Sequence, residues 1–278
     1  MGGSELVSRP PVALTIAGSD PSGGAGIQAD LKTFSALGVY GTAVITALTA
    51  QSTQGVTGVH AVPPEFVRAQ LDTLLADIPV DAIKIGMLAG APTVRTVADF
   101  LRELAEGQGP AVVLDPVMVS TSGSRLLADD AVAAIREMLP YSSVITPNIP
   151  EAAVLLDQAE ATDMEGMRTQ ARALLDIGAR RVLLKGGHLA GGHATDLWLN
   201  ADGEHLFTGP RVPTANTHGT GCSLSSAMAA LVPRCASWPQ TVDRAKSWLT
   251  GALRAADSLE IGQGPGPVHH FYDLWKSP

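Results

Sequence analysis

VALTIAGSDPSGGAGIQADLKTFSALG (residues 12–38) reads as a strand, a loop and a helix in immediate succession. VALTIAG (12–18) is an apolar, β-rich run of the length of a buried strand. GSDPSGGAG (18–26) is glycine-rich and permits close backbone approach. Ile27, Leu31, Phe34 and Leu37 then recur at helical spacing.

The same unit repeats along the chain. AIKIGML (82–88), VVLD (112–115), SVIT (143–146) and RVLLKGG (181–187) read as buried strands, each followed by a loop and a helix. That alternation predicts a largely parallel sheet covered by helices. Val67, Leu71, Leu74, Leu75 and Ile78 form one helical stripe after Pro64, and Met167, Ala171, Leu174 and Leu175 another. GTAVITALTAQ (41–51) and VTGVHAV (56–62) are consecutive β segments, which predicts a small β extension. DLWLN and EHLFTG alternate about Asp202-Gly203 as a hairpin. No repeat or domain boundary interrupts the pattern, so a single domain over 1–278 is expected, with residues 1–11 as a loose N-terminal tail.

The chain has 278 residues, 45% hydrophobic and 17% charged, which excludes overall disorder. A net charge of −8 without a basic stripe argues against nucleic acid as partner. No apolar stretch is long enough for a membrane span, and the start lacks a signal-peptide core. Cys222 and Cys235 are too few for a disulfide framework, and a reducing cytoplasm is the expected setting.

In open α/β sheets ligands gather beyond the carboxyl ends of strands. GSDPSGGAG stands at the first such end, where it also reads as a tight packing turn. Its Gly24–Ala29 segment fits a dinucleotide fingerprint, but no acid lies between Asp30 and Glu65 to hold a ribose. Thr217-His218-Gly219-Thr220-Gly221-Cys222 opens a helix and offers N–H donors for an oxyanion or a transferring phosphoryl group. The helix dipole favours a Cys222 thiolate; an inert helix-start cysteine is the alternative, disfavoured because this one follows Gly-Thr-Gly. Asp115 closes an apolar strand. Asn148 and Glu151 suit either a helix start or, with Asp115, Mg²⁺ held partly by water and phosphates. Lys185 reads as a phosphate contact or as simple surface. No GxxxxGK[ST], HExxH or CxxC is present.

AGSDPSGGAGIQADLKTFSALG, VITALTAQST, KIGMLA, DPVM, ITPNIPEA, KGGH and THGTGCSLSSA, in that order, resemble the hydroxymethylpyrimidine/phosphomethylpyrimidine kinases of thiamin synthesis. These form a branch of the ribokinase-like superfamily. The resemblance runs from about residue 12 to about residue 270. It implies a three-layer α/β/α fold with a mainly parallel central sheet of eight or more strands, and a homodimer. It also implies two successive transfers from MgATP, first to the hydroxymethyl group and then to the resulting phosphate. Gly18, Ala25, Asp30, Gln51, Met87 and Val117 match substrate positions. Gln51 can donate and accept a hydrogen bond, as an aminopyrimidine edge requires. Asn148, Lys185 and Thr217 match the ATP side, Asp115 and Glu151 the metal, and Gly219, Thr220 and Gly221 the anion hole. Cys222 stands where sugar kinases carry a catalytic Asp, which favours the vitamin-kinase branch. Pyridoxal kinase activity is the alternative, as main role or side reaction.

Overall fold

The computed structural model describes residues 9–107, 109–118, 129–187, 189 and 191–275. Residues 1–8 of the expected tail and His188 of the KGGH motif lie outside the described residues. Residues 9–11 are tied down: Arg9 forms two hydrogen bonds with Asp81, and the Pro11 carbonyl accepts from Tyr40 N–H.

Among the described residues ten strands and eight α-helices follow one another. The strands are β1 Val12–Ala17, β2 Tyr40–Ile45, β3 Ala47–Ser52, β4 Gly55–Ala61, β5 Ala82–Ile85, β6 Ala111–Leu114, β7 Val144–Ile145, β8 Arg181–Leu184, β9 His193–Asn200 and β10 Gly203–Pro210. The helices are α1 Gly26–Ala36, α2 Pro64–Leu75, α3 Ala91–Leu104, α4 Asp129–Met138, α5 Ile149–Leu156, α6 Met164–Asp176, α7 Thr220–Leu231 and α8 Trp238–Arg254. Eight strands form one sheet in the order β10, β9, β8, β7, β6, β5, β1, β2. From β8 to β2 neighbours are parallel; β9 and β10 close the far edge as an antiparallel hairpin. β3 and β4 form a separate two-stranded ribbon, the expected extension.

Strand alternation divides the core in two. Leu14, Ile16, Ile83, Ile85, Val112 and Leu114 face one side, under α2 to α6. Ala13, Ala82, Val113, Val144 and Leu183 face the other, under α1, α7 and α8. On this second face β1 and β5 present Ala13 and Ala82, so α7 lies close against the sheet's centre. The stripe predicted to Ile78 stops sooner: α2 ends at Leu75, and Ile78 precedes Pro79, whose ring disfavours helical backbone at the residue before it.

Candidate active site

The glycine-rich loop between β1 and α1 is folded about the Asp20 carboxylate. Its Oδ1 accepts from Ser22 N–H and Oγ, and its Oδ2 from Ala25 N–H and His218 Nε2, the last at 2.8 Å. Burial works against ionisation there, but the hydrogen bonds from His218 and Ser22 hold the carboxyl below its ordinary range. The Asp20–His218 bond fastens this loop to the segment that opens α7. Two glycines make the approach feasible. Gly26 (φ +56°) leaves no room for a Cβ beside the Gly18 carbonyl, and Gly219 (φ +76°) leaves none beside that of Gly24. The N-termini of α1 and α7 therefore meet.

At the start of α7, Ser223 N–H is taken by the Gly219 carbonyl and Thr220 N–H by that of Thr217. Of the orphan donors of a first turn, those of Gly221 and Cys222 remain for an anion. The Gly26 N–H favours the charged form of Cys222. The expected thiolate is not the resting state. Burial pushes the thiol up to about 11, and Lys84 pulls against it without prevailing.

The carboxyl ends of β6, β7 and β8 bring together Asp115, Glu151 and Lys185. Asp115 accepts from Thr146 Oγ1 at 3.1 Å and from Lys185 Nζ at 2.8 Å, and Ser225 Oγ lies 3.2 Å from its second oxygen. Burial opposes its charge, yet Lys185 and Lys84 keep the carboxyl below its usual range. Lys185 is no surface lysine: Glu151 Oε2 stands 3.7 Å from its Nζ on the other side. Asn148 and Glu151 do form the helix start, through a reciprocal capping box at 2.7 and 2.8 Å. Glu151 is nevertheless buried, which raises its carboxyl to about 7, with Lys185 opposing.

One cavity of about 710 Å³ joins these groups. Its lining includes Gln51, Met87 and Val117, the Asp115–Lys185 pair with Cys222, and the apolar Val212, Leu249 and Leu253. Gln51 follows a bulge at Ala50/Gln51 in the β3–β4 ribbon, and its Oε1 accepts from Thr49 Oγ1 at 3.1 Å. Gly18, Ala25, Asn148, Glu151, Thr217, Gly219, Thr220 and Gly221 also border the cavity. Asp30 does not. Its side chain is fully buried and saturated by Lys84, Thr15 and Ser226, so no group remains for a substrate. Asp20, His218 and Lys84 carry roles that no motif assigned them. Lys84 was detectable as a charge within the otherwise apolar AIKIG, a setting where lysine rarely stays unpaired.

The family model for phosphomethylpyrimidine kinase matches residues 20–269. The hydroxymethylpyrimidine/phosphomethylpyrimidine kinase of Escherichia coli (strain K12) is 55% identical over 264 residues, covering 95% of this chain and 98% of that protein. Among solved structures, the pyridoxal kinase of Staphylococcus aureus in complex with AMP-PCP and pyridoxal superposes with a TM-score of 0.86. Its identity is 30%, with 96% of each chain covered. The phosphomethylpyrimidine kinase of Clostridium difficile 630 superposes with a TM-score of 0.76 at 36% identity, covering 87% of this chain and 99% of that one. The fold is thus the ribokinase-like α/β fold. By these measures the chain belongs to the phosphomethylpyrimidine kinase family.

Proposed function

We propose that this protein transfers the γ-phosphoryl group of ATP to 4-amino-5-hydroxymethyl-2-methylpyrimidine, and then to the monophosphate so formed. One observation carries the reading. A single cavity is lined by Gln51, by the starts of α1 and α7, by the buried Asp115, Glu151 and Lys185, and by the apolar Val212, Leu249 and Leu253. Gln51 meets the pyrimidine edge, while Gly18, Ala25, Met87 and Val117 enclose the ring. Val212, Leu249 and Leu253 suit the flat face of a nucleotide base, with Thr217, Asn148 and Lys185 toward its phosphates. The acceptor oxygen then attacks Pγ, the bond from Pγ to the β-phosphate oxygen breaks, and ADP departs.

The work of such a transfer is positioning and charge neutralisation. The N–H groups of Gly221 and Cys222 point at the transferring group, and Lys185 supplies a fixed cation. Cys222 is the group placed to take the hydroxyl proton. At rest it is the thiol, so the step runs through the minor thiolate form, and little proton transfer is needed before a loose transition state is reached. Asp115 and Glu151 fit a divalent cation of the Mg²⁺ class. Such ions bind proteins through one or two carboxylates, with phosphates and water completing the shell, and two buried acids border the cavity here. When bound with ATP, the ion would offset the charge of the β- and γ-phosphates.

Among the described residues no helix is long and apolar enough to cross a membrane. A homodimer is supported by the exposed Tyr40, Leu48, Val59 and Phe66 around the β2 edge and the ribbon. Pyridoxal as a slower second acceptor is supported by the close superposition on the Staphylococcus aureus enzyme. The test is to incubate purified protein with MgATP and either acceptor and follow products by mass. Hydroxymethylpyrimidine should gain one and then two phosphates, and excess chelator should stop both steps. Phosphorylation of pyridoxal alone would overturn the assignment.

A further inference from the structure

Lys84 and Asp30 form an ion pair sealed from solvent, both side chains being 0% exposed. Lys84 Nζ donates to both Asp30 oxygens at 2.9 Å, and Thr15 Oγ1 and Ser226 Oγ donate to the same carboxylate at 2.6 Å. Withdrawing two charges from water is costly, and apolar residues of similar volume often stabilise a fold as well or better. The pair's position offers a reason for it.

Ser226 Oγ ties α7 to α1 through Asp30. Gly26 and Asp30 lie one turn apart on α1, and Cys222 and Ser226 one turn apart on α7, so each couple shares a helix face and Cys222 stands one turn before the Ser226–Asp30 bond. Lys84 joins that bond from β5 and borders the cavity together with Cys222. Asp30 accepts from the Lys84 ammonium with both oxygens.

We propose that Lys84 and Asp30 are positioning residues for Cys222: Asp30 fixes the Lys84 ammonium beside the Sγ, and that ammonium stabilises the thiolate. The inference rests on Cys222 serving as the proton acceptor proposed above. When the acceptor's O–H bond breaks, its proton passes to Sγ and the new O–Pγ bond forms; the proton leaves Sγ to water before the next turnover. The charged and polar groups that bear on the Cys222 thiol are the Gly26 N–H and Asp30 of α1, Lys84 of β5, Asp115 beyond β6 and Lys185 beyond β8. Burial, Asp30 and Asp115 raise the thiol pKa, whereas Lys84 and the Gly26 N–H lower it.

The test is alkylation of Cys222 by iodoacetamide across pH in the full chain, with Cys235→Ser removing the other thiol. Lys84→Met combined with Asp30→Asn keeps an uncharged hydrogen-bond partner for Thr15 and Ser226. It should slow alkylation at pH 8 by at least about tenfold, since only the thiolate reacts. Asp30→Asn alone should slow it as well, because a fully buried lysine without its counter-charge gives up its proton or leaves its place. A loosened fold would do the opposite, exposing the thiol and speeding its alkylation. Unchanged pH profiles in folded variants, or faster alkylation, would overturn the proposal. Failure of the base role would show separately, as undiminished alcohol phosphorylation by Cys222→Ala while the alkylation shifts persist. That result would support the electrostatic pairing and overturn its catalytic use.

Discussion

Cys222 meets two acceptors of different chemistry. A neutral hydroxymethyl group must lose a proton as it attacks, and a positioned base typically contributes about 10²–10⁴-fold. A phosphate monoester is already largely ionised near neutral pH. Cys222→Ala should therefore lower kcat for the alcohol by about 10²–10⁴-fold and leave the monophosphate reaction far less affected. Supplying each acceptor separately at saturating MgATP measures this. Glu151 carries a second prediction. Its folded carboxyl is raised to about 7 from an ordinary 4.5, chiefly by burial. Between those values the folded state alone holds the proton, so its contribution to stability is full below pH 4.5 and is lost as pH rises through 7. Glu151→Gln cannot ionise. Relative to the parent it should gain about 1–3 kcal/mol between pH 5 and pH 8, read from urea titrations without nucleotide or cation. Asp115, Glu151 and Cys222 were legible as chemistry because acids and a Gly-flanked cysteine stood at strand and helix ends. The fate of Asp30 was not, since Lys84 and Ser226, which saturate it, lie far off in sequence.

Elements were read more readily than their seams. Strands β1 and β5 to β8 and the β9–β10 hairpin followed from apolar period, whereas the single run read over 41–51 divides into β2 of the main sheet and β3 of the ribbon, and β8 is followed by β9 where a helix was expected. The bulge that shifts register beside Gln51 left no such trace, nor did the crossing of the β1–α1 loop with the start of α7. That crossing is local in space and remote in sequence. It makes Gly219 a sharp test. A side chain there must adopt φ +76° and would strike the Gly24 carbonyl. The left-handed conformation alone costs about 1–2 kcal/mol, which for a chain of this size lowers Tm by about 2–8 °C. Gly219→Ala should show that loss by calorimetry and should impair both phosphoryl transfers alike. Displacing the N–H groups spares neither acceptor, in contrast to Cys222→Ala.

At the scale of the whole molecule, the β2 edge and the β3–β4 ribbon are the surface an assembly would use. Unpaired strand edges are ready templates for association, and Tyr40, Leu48 and Val59 are each about half exposed or more there. Sedimentation at micromolar concentration should give a dimer, and Leu48→Asp with Val59→Asp should shift it to monomer. The central placement of α7 has a different consequence, in time. Every strand of the main sheet is synthesised before α7, yet Ala82, Val113, Val144 and Leu183 depend on that helix and α8 for their cover. On a ribosome adding about 5–20 residues each second, α7 and the residues after it take about 3–12 s to appear. During that interval α1 is the sole helix available to cover that face of the nascent sheet. The same late helix carries the N–H groups and the cysteine of the active centre, so catalytic competence and the masking of that face arrive together.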